Sequence, residues 1–167
     1  MNILVFSDSH GFKGNIIKAL NRHRNDTDLA IHLGDGIGDM MEIRGDYPHI
    51  SFLSVAGNCD STQIRRLYSA NETKCFTFEG VRIFACHGHR LLVKYRYNEL
   101  IEEAIKNRCK LALFGHTHLP VDRFIDSKSG GIYIFNPGSI SRPESGPPSY
   151  GYINIKNGEI QLSHKNF

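Results

Sequence analysis

Residues 3–6 form a continuously apolar run, Ile-Leu-Val-Phe, and the polar turn Ser7-Asp8-Ser9-His10-Gly11 follows at once. An unbroken run of this length is the pattern of a strand buried on both faces. Residues 15–24 then place Ile16, Ile17 and Leu20 on one side of a predicted helix. The same order recurs twice. Residues 29–33 read as a strand ending at Gly34-Asp35-Gly36, with a short helix through Met40, Met41 and Ile43 behind it. Residues 50–56 read as a third strand, ending at Gly57-Asn58-Cys59-Asp60, and Ile64, Leu67 and Tyr68 follow at helical spacing. Strand, polar tip and helix in repetition predict a largely parallel sheet in an α/β fold.

The pattern changes in the second half. Residues 74–78 and 81–86 flank Glu79-Gly80, a tight hairpin signal. A helix is predicted over 98–108, with Leu100, Ile101, Ala104 and Ile105 as its apolar face. Strands are predicted over 111–114, 121–126 and 132–135. The loop 136–149, rich in Pro, Gly and Ser, lies inside a strand-loop-strand unit and reads as a rim loop. Residues 150–155 and 159–163 close the chain as a hairpin across Asn157-Gly158. With no internal repeat or boundary signal, residues 1–167 are expected to form a single domain.

Composition narrows the function classes. Hydrophobic residues at 40% and charged residues at 22% are ordinary for a globular protein in water. The net charge of +3 comes from dispersed basic residues, so no specific nucleic-acid partner is expected. No apolar run approaches the roughly 20 residues that span a bilayer, and the N-terminus lacks the basic region of a signal peptide. Cys59, Cys75, Cys86 and Cys109 form no C-x-x-C pair. They are expected as reduced thiols in a cytoplasmic protein.

The candidate chemistry sits at the strand tips. Asp8, His10, Asp35, Asn58, His87, His116 and His118 each lie just after a predicted strand. Taken singly, Asp8 and Asn58 read as turn residues, and His116-Thr117-His118 as buried imidazoles bonded to loop carbonyls. Five such tips together point to a metal centre, because ligands of open α/β sheets bind beyond the carboxyl ends of the strands. Two carboxylates, four imidazoles and one amide oxygen exceed the needs of one tetrahedral ion and suit two ions sharing a bridging carboxylate. Nitrogen and oxygen donors without thiolate suit Mn²⁺, Fe²⁺ or Zn²⁺. Two cations about 3.5–4 Å apart generate hydroxide at neutral pH and clamp phosphoryl oxygens. Gly34-x-Gly36-x-Gly38 lacks the spacing of a dinucleotide loop.

Asp8-x-His10, Gly34-Asp35, Gly57-Asn58, His87 and Gly115-His116-x-His118 resemble the motif set of the calcineurin-like metallophosphoesterases. The short length, Gly57-Asn58-Cys59-Asp60, His87-Gly88-His89 and Asn136-Pro137-Gly138-Ser139 resemble more narrowly the small YfcE-type phosphodiesterases, which share a fold with the retromer subunit. The resemblance implies a four-layer α-β-β-α sandwich of two mixed sheets. It implies one ion held by Asp8, His10, Asp35 and His118, and another by Asp35, Asn58, His87 and His116, with Asp35 bridging. The division between His116 and His118 rests on the family alone. Mn²⁺ is the first expectation for the two ions, with Zn²⁺, Fe²⁺ and Ni²⁺ as alternatives. The implied reaction is hydrolysis of a small-molecule phosphodiester by bridging hydroxide. Relatives that form dimers or tetramers lean the expectation towards a homodimer or homotetramer.

One departure matters. Larger relatives carry His after Gly-Asn, read as the acid that protonates the leaving oxygen; here the position is Cys59. A thiol is a poor substitute for an imidazole in proton transfer, so activated aryl diesters are expected to react better than esters with poor leaving groups. His89 is expected to compensate with a hydrogen bond to phosphate, and backbone amides near Gly138 to face it. Arg90, Lys94 and Arg96 read more readily as a solvated face than as a steering patch. His32 reads as packing, and His23, His49 and His164 as surface residues. The rival functions are a protein-binding scaffold with an inactive site and a phosphomonoesterase.

Overall fold

A computed structural model of the chain describes residues 1–126 and 130–167. The first half contributes β1 (Asn2–Phe6), α1 (Gly14–Arg22), β2 (Leu29–His32), α2 (Ile37–Met41), β3 (Ser51–Ser54) and α3 (Thr62–Leu67). The second half contributes β4 (Thr73–Phe78), β5 (Val81–Cys86), α4 (Asn98–Lys106), β6 (Leu111–Leu113), β7 (Pro120–Ile125), β8 (Ile132–Pro137), β9 (Ser149–Lys156) and β10 (Glu159–Asn166). One sheet has the order β10-β9-β1-β2-β3 and the other β4-β5-β6-β8-β7. Both are mixed. β1, β2 and β3 run parallel, as do β5, β6 and β8, while the remaining strands pair antiparallel.

The two-residue period of a strand builds the layers. Ile3 and Val5 of β1 point between the sheets, against Ile83, Ala85, Leu111 and Leu113. Leu4 and Phe6 point the other way, onto Ile16, Ala19 and Leu20 of α1. In the second sheet Phe84, Cys86 and Ala112 face Leu100 and Ala104 of α4. The result is helix, sheet, sheet, helix. Each fully buried aliphatic side chain contributes roughly 1.5–3 kcal/mol. No helix among the described residues is long and apolar enough to cross a membrane.

Several boundaries depart from the sequence pattern for physical reasons. β3 stops at Ser54, because Ala56 donates its N–H to Asn71 O outside the ladder. Asn136 and Pro137 leave the rim loop to join β8, where they pair with Val121 and Pro120 of β7. β10 runs on to Asn166, which brings His164 onto the Phe135 ring, with centroids 4.6 Å apart and planes at 15°. His23 packs against Tyr150 and Tyr152. Neither His23 nor His164 is therefore the surface residue expected; His49 is exposed.

Parallel strands carry their C-terminal tips to a common edge, and backbone bonds lace the tips together. Asp8 N–H donates to Gly34 O and His10 N–H to Asp35 O, both at 3.0 Å. Gly115 N–H donates to His87 O at 3.0 Å in the second sheet, and Ile140 N–H reaches Ser7 O at 3.1 Å.

Candidate metal centre

Six of the seven expected donors converge across the two sheets. Ligand atoms of Asp8, His10 and His118 all lie within 4.8 Å of one another, and so do those of Asp35, His87 and His116. The two trios touch. His87 Nε2 is 3.3 Å from Asp35 Oδ2 and 3.9 Å from Asp8 Oδ1. His118 Nε2 is 3.2 Å from Asp8 Oδ1 and 3.3 Å from His10 Nε2. The structure thus separates two histidines that spacing left equivalent: His118 stands with the first strand's tip and His116 with the second's.

The backbone at these tips is strained. Asp8, His10, Asp35, His116 and His118 have φ of 56°, 48°, 57°, 68° and 57°. Left-handed backbone at a non-glycine residue costs on the order of 1–3 kcal/mol and clusters at functional sites. Close backbone approach supports the arrangement. A Cβ on Gly57 would lie 2.1 Å from Asp35 Oδ1, and one on Gly34, itself at φ 101°, would lie 2.5 Å from Gly57 N.

Hydrogen bonds aim the donors. Asp8 Oδ2 accepts the Ser7 hydroxyl at 2.5 Å and the His116 N–H at 3.1 Å, which leaves Oδ1 facing His87 and His118. Asp35 Oδ1 accepts the Cys59 N–H at 2.7 Å, which leaves Oδ2 facing His87. His87 Nδ1 lies 2.7 Å from Leu33 O, and His118 Nδ1 lies 2.6 Å from Arg142 O. A carbonyl can only accept, so both Nδ1 atoms carry protons and both Nε2 atoms face the centre.

A cation fits this arrangement. Asp8 Oδ1 and His87 Nε2 are buried and make no hydrogen bond, since the 3.2–3.9 Å contacts around them are charge contacts without hydrogen-bond alignment. Such orphaned atoms cost about 1–3 kcal/mol each. Electrostatics agrees. Burial pushes Asp8 up, but the adjacent His118 imidazole, the His87 charge and the Ser7 hydroxyl outweigh it and hold Asp8 low. Burial likewise opposes Asp35, which His87 and the Cys59 amide hold well below the usual carboxylate range. Burial also pulls His87 down, yet Asp35 and Asp8 hold it above the ordinary imidazole value. His116 is pushed down to about 4 by burial and by the charges of His87 and Lys94.

The supporting shell was largely missed by sequence reasoning. The Asp60 carboxylate accepts four backbone N–H groups, from Asp35 and Gly57 on Oδ2 and from Gly36 and Ile37 on Oδ1, at 2.8–3.1 Å. It ties the β2 and β3 tips together. His32 is not mere packing: its Nδ1 accepts the Gly34 N–H at 3.2 Å and its Nε2 lies 3.1 Å from Ser9 Oγ, which donates to Asp39. The rim loop clamps the first tip, with Ser139 Oγ donating to Asp8 O and Ser141 Oγ to Ser9 O, both at 2.8 Å. The sequence signals for this shell were the place of Asp60 directly after Asn58-Cys59 and that of Ser139 at the end of Asn136-Pro137-Gly138-Ser139.

The remaining expected residues are placed as follows. Asn58 is exposed, and its amide nitrogen donates to Cys59 Sγ at 3.2 Å. Cys59 Sγ lies within 4.8 Å of donor atoms of His10 and Asp35. Desolvation and then the Asp35 carboxylate push its thiol up to about 11. The His89 ring centroid is 5.5 Å from that of His87 and 6.1 Å from that of His116, and its buried Nδ1 makes no hydrogen bond. Gly138 corrects the expectation. Its N–H donates to Asn136 Oδ1 at 2.9 Å, so that amide does not face a phosphate. Arg90 pairs with Glu72 and Arg96 with Glu99, whereas Lys94 has no carboxylate partner among the described residues and its charge acts on His116 and His118.

Residues 1–158 match the family described as the calcineurin-like phosphoesterase superfamily domain. A probable metallophosphoesterase of Mycoplasma pneumoniae (strain ATCC 29342 / M129 / Subtype 1) is 29% identical over 163 residues, covering 95% of this chain and 92% of that protein. Phosphodiesterase YfcE of Escherichia coli (strain K12) is 36% identical over 105 residues, covering 60% of this chain and 51% of that protein. Among solved structures, a conserved predicted phosphoesterase from Streptococcus pneumoniae TIGR4 superposes with a TM-score of 0.77 at 26% identity, covering 99% of this chain and 88% of that one.

Proposed function

The chain belongs to the calcineurin-like phosphoesterase superfamily, and as a metal-dependent phosphoesterase of that family we propose that it hydrolyses phosphodiesters at a pair of divalent cations. The observation that carries this reading is the pair of buried, unbonded atoms Asp8 Oδ1 and His87 Nε2 at the junction of two donor trios. Asp8, His10, Asp35 and His118 would hold one ion, and Asp35, Asn58, His87 and His116 the other, with Mn²⁺ the first choice. When bound, two cations supply a nucleophilic water at neutral pH and neutralise charge on the phosphoryl oxygens.

The chain's own residues do the rest. Ser7 and the His116 amide occupy one oxygen of Asp8, so a single oxygen of that carboxylate is presented. Leu33 and Arg142 carbonyls fix the tautomers of His87 and His118. Cys59 stays a protonated thiol near neutral pH, which excludes it as a base and makes it a weak acid towards the leaving oxygen. His89, held neutral by burial and by the charge of His87, is placed to donate a hydrogen bond to a substrate oxygen. Lys94 adds attraction for an anionic diester. A cytoplasmic location with all four cysteines reduced belongs to the same proposal.

Hydrolysis of bis-p-nitrophenyl phosphate tests the reading. Activity is expected to vanish with a chelator and return with Mn²⁺, and to exceed the rate on p-nitrophenyl phosphate. Absence of hydrolysis with Mn²⁺ present would favour a binding scaffold, and a faster monoester rate would favour a phosphomonoesterase.

A further inference from the structure

A groove of about 470 Å³ opens from the donors His10 and Asp35, past Cys59, to Ile64 and Arg142. Its acids are already engaged. Asp39 accepts from Ser9 Oγ and Gly11 N, Asp60 from four amides, and Glu42 pairs with Lys13 at 3.3 Å. Arg142 is the one arginine or lysine among the groove's lining residues, and no carboxylate pairs with it among the described residues. Its guanidinium carbon sits 5.3 Å from the centroid of the Phe12 ring, and Phe12 is 57% exposed. A guanidinium laid on an aromatic face is held flat while its in-plane N–H groups stay free to bind an oxyanion in bidentate fashion.

Both residues are rooted in the metal centre. Phe12 N–H donates to Ser9 O at 3.0 Å, in the turn that carries Asp8 and His10. Arg142 O accepts from His118 Nδ1 at 2.6 Å, and Arg142 N–H donates to Ser139 Oγ at 2.7 Å. The side chain therefore starts from a fixed point beside His118. We propose that Arg142, carried on Phe12, is a specificity subsite for a second phosphoryl group of the substrate. The phosphodiester that is cut would then bear a further phosphate on a neighbouring atom group. This rests on the phosphodiesterase reading above.

Two chromogenic diesters with one leaving group test it: thymidine 5′-(p-nitrophenyl phosphate), with and without a 3′-phosphate. The native protein is expected to favour the 3′-phosphorylated ester by about ten- to a hundredfold in kcat/KM, chiefly through KM, the range of a charge-assisted hydrogen-bond pair. Arg142→Ala and Arg142→Gln should bring that ratio to about one. Arg142→Lys should keep part of it, and Phe12→Tyr more of it than Phe12→Leu. The ratio cancels any general loss in a variant. Cleavage of both esters by the native protein with a ratio near one overturns the subsite and leaves the phosphodiesterase standing. Cleavage of neither removes the phosphodiesterase itself.

Discussion

The Nε2 atoms of His10 and His118 stand 3.3 Å apart, with their rings tilted by 45°. Two imidazole nitrogens at that distance can share one proton or one cation. Asp8 Oδ1, 3.2 Å from His118 Nε2, adds negative charge at the same point. His118→Ala is therefore expected to lower bound Mn²⁺ by about one ion per chain and kcat/KM by more than about 100-fold, since even outer partners of ligands are worth 10–100-fold. Metal analysis of the dialysed protein checks this; an unchanged ion count would remove His118 from the donor set.

Metal binding should release protons. The Asp8 carboxylate raises His118 against burial, and Asp35 and Asp8 raise His87 against burial. The stability these two imidazoles add to the metal-free protein is complete below the unfolded value of about 6.5 and is lost as pH rises through their higher folded values. Asp8 and Asp35 are held low, so their contribution is present above about 4 and is lost as pH falls towards their folded values. Burial holds His32, His89 and His116 below the ordinary imidazole value, so unfolding takes up protons at these residues and stability falls as pH drops below about 6.5. The metal-free protein is thus expected to be most stable at about pH 6.5. Calorimetry of Mn²⁺ binding at pH 6 in two buffers of different ionisation enthalpy should show proton release, and none at pH 9.

Cys59 sets which esters react. With its thiol up near 11, the native protein is expected to show a steep dependence of kcat on the leaving-group pKa. Cys59→His should flatten that dependence by raising the rates of poor leaving groups roughly 10²-fold or more, the range of general acid catalysis. Equal slopes for the two proteins across a series of aryl and alkyl diesters would take Cys59 out of the reaction.

Asp60→Asn replaces one acceptor oxygen by a donor and leaves two of four tip amides without a partner. The expected loss is roughly 2–6 kcal/mol in urea unfolding of the metal-free protein, at about 1–3 kcal/mol per unsatisfied buried donor. Mn²⁺ should bind more weakly as well, because Asp35 N–H is among the amides released. A variant as stable as the native chain would show that the amides find other partners.

How far the sequence carried depends on the range of each interaction. Apolar runs and their polar ends are local, so every strand was legible to within a few residues, as were the type I′ turns at Glu79-Gly80 and Asn157-Gly158, where all four φ angles are positive. The candidate donors were legible as tip residues because each follows its strand directly. Illegible were residues whose role depends on how a tip turns back on itself or on which other tip lies beside it. His32 looked like packing because its partners, Gly34 and Ser9, sit on different tips. Gly138 looked like a phosphate cradle because nothing local shows that Asn136 folds back onto its amide.

By itself, then, the sequence determined that ligating side chains end the strands, since alternation and run length are properties of neighbouring residues. Only the tertiary structure decided which donors meet. His10 and His118 are separated by 108 positions, and sheet order and register bring them together. Those depend on how two apolar faces pack against each other, a long-range choice that no short stretch of sequence encodes.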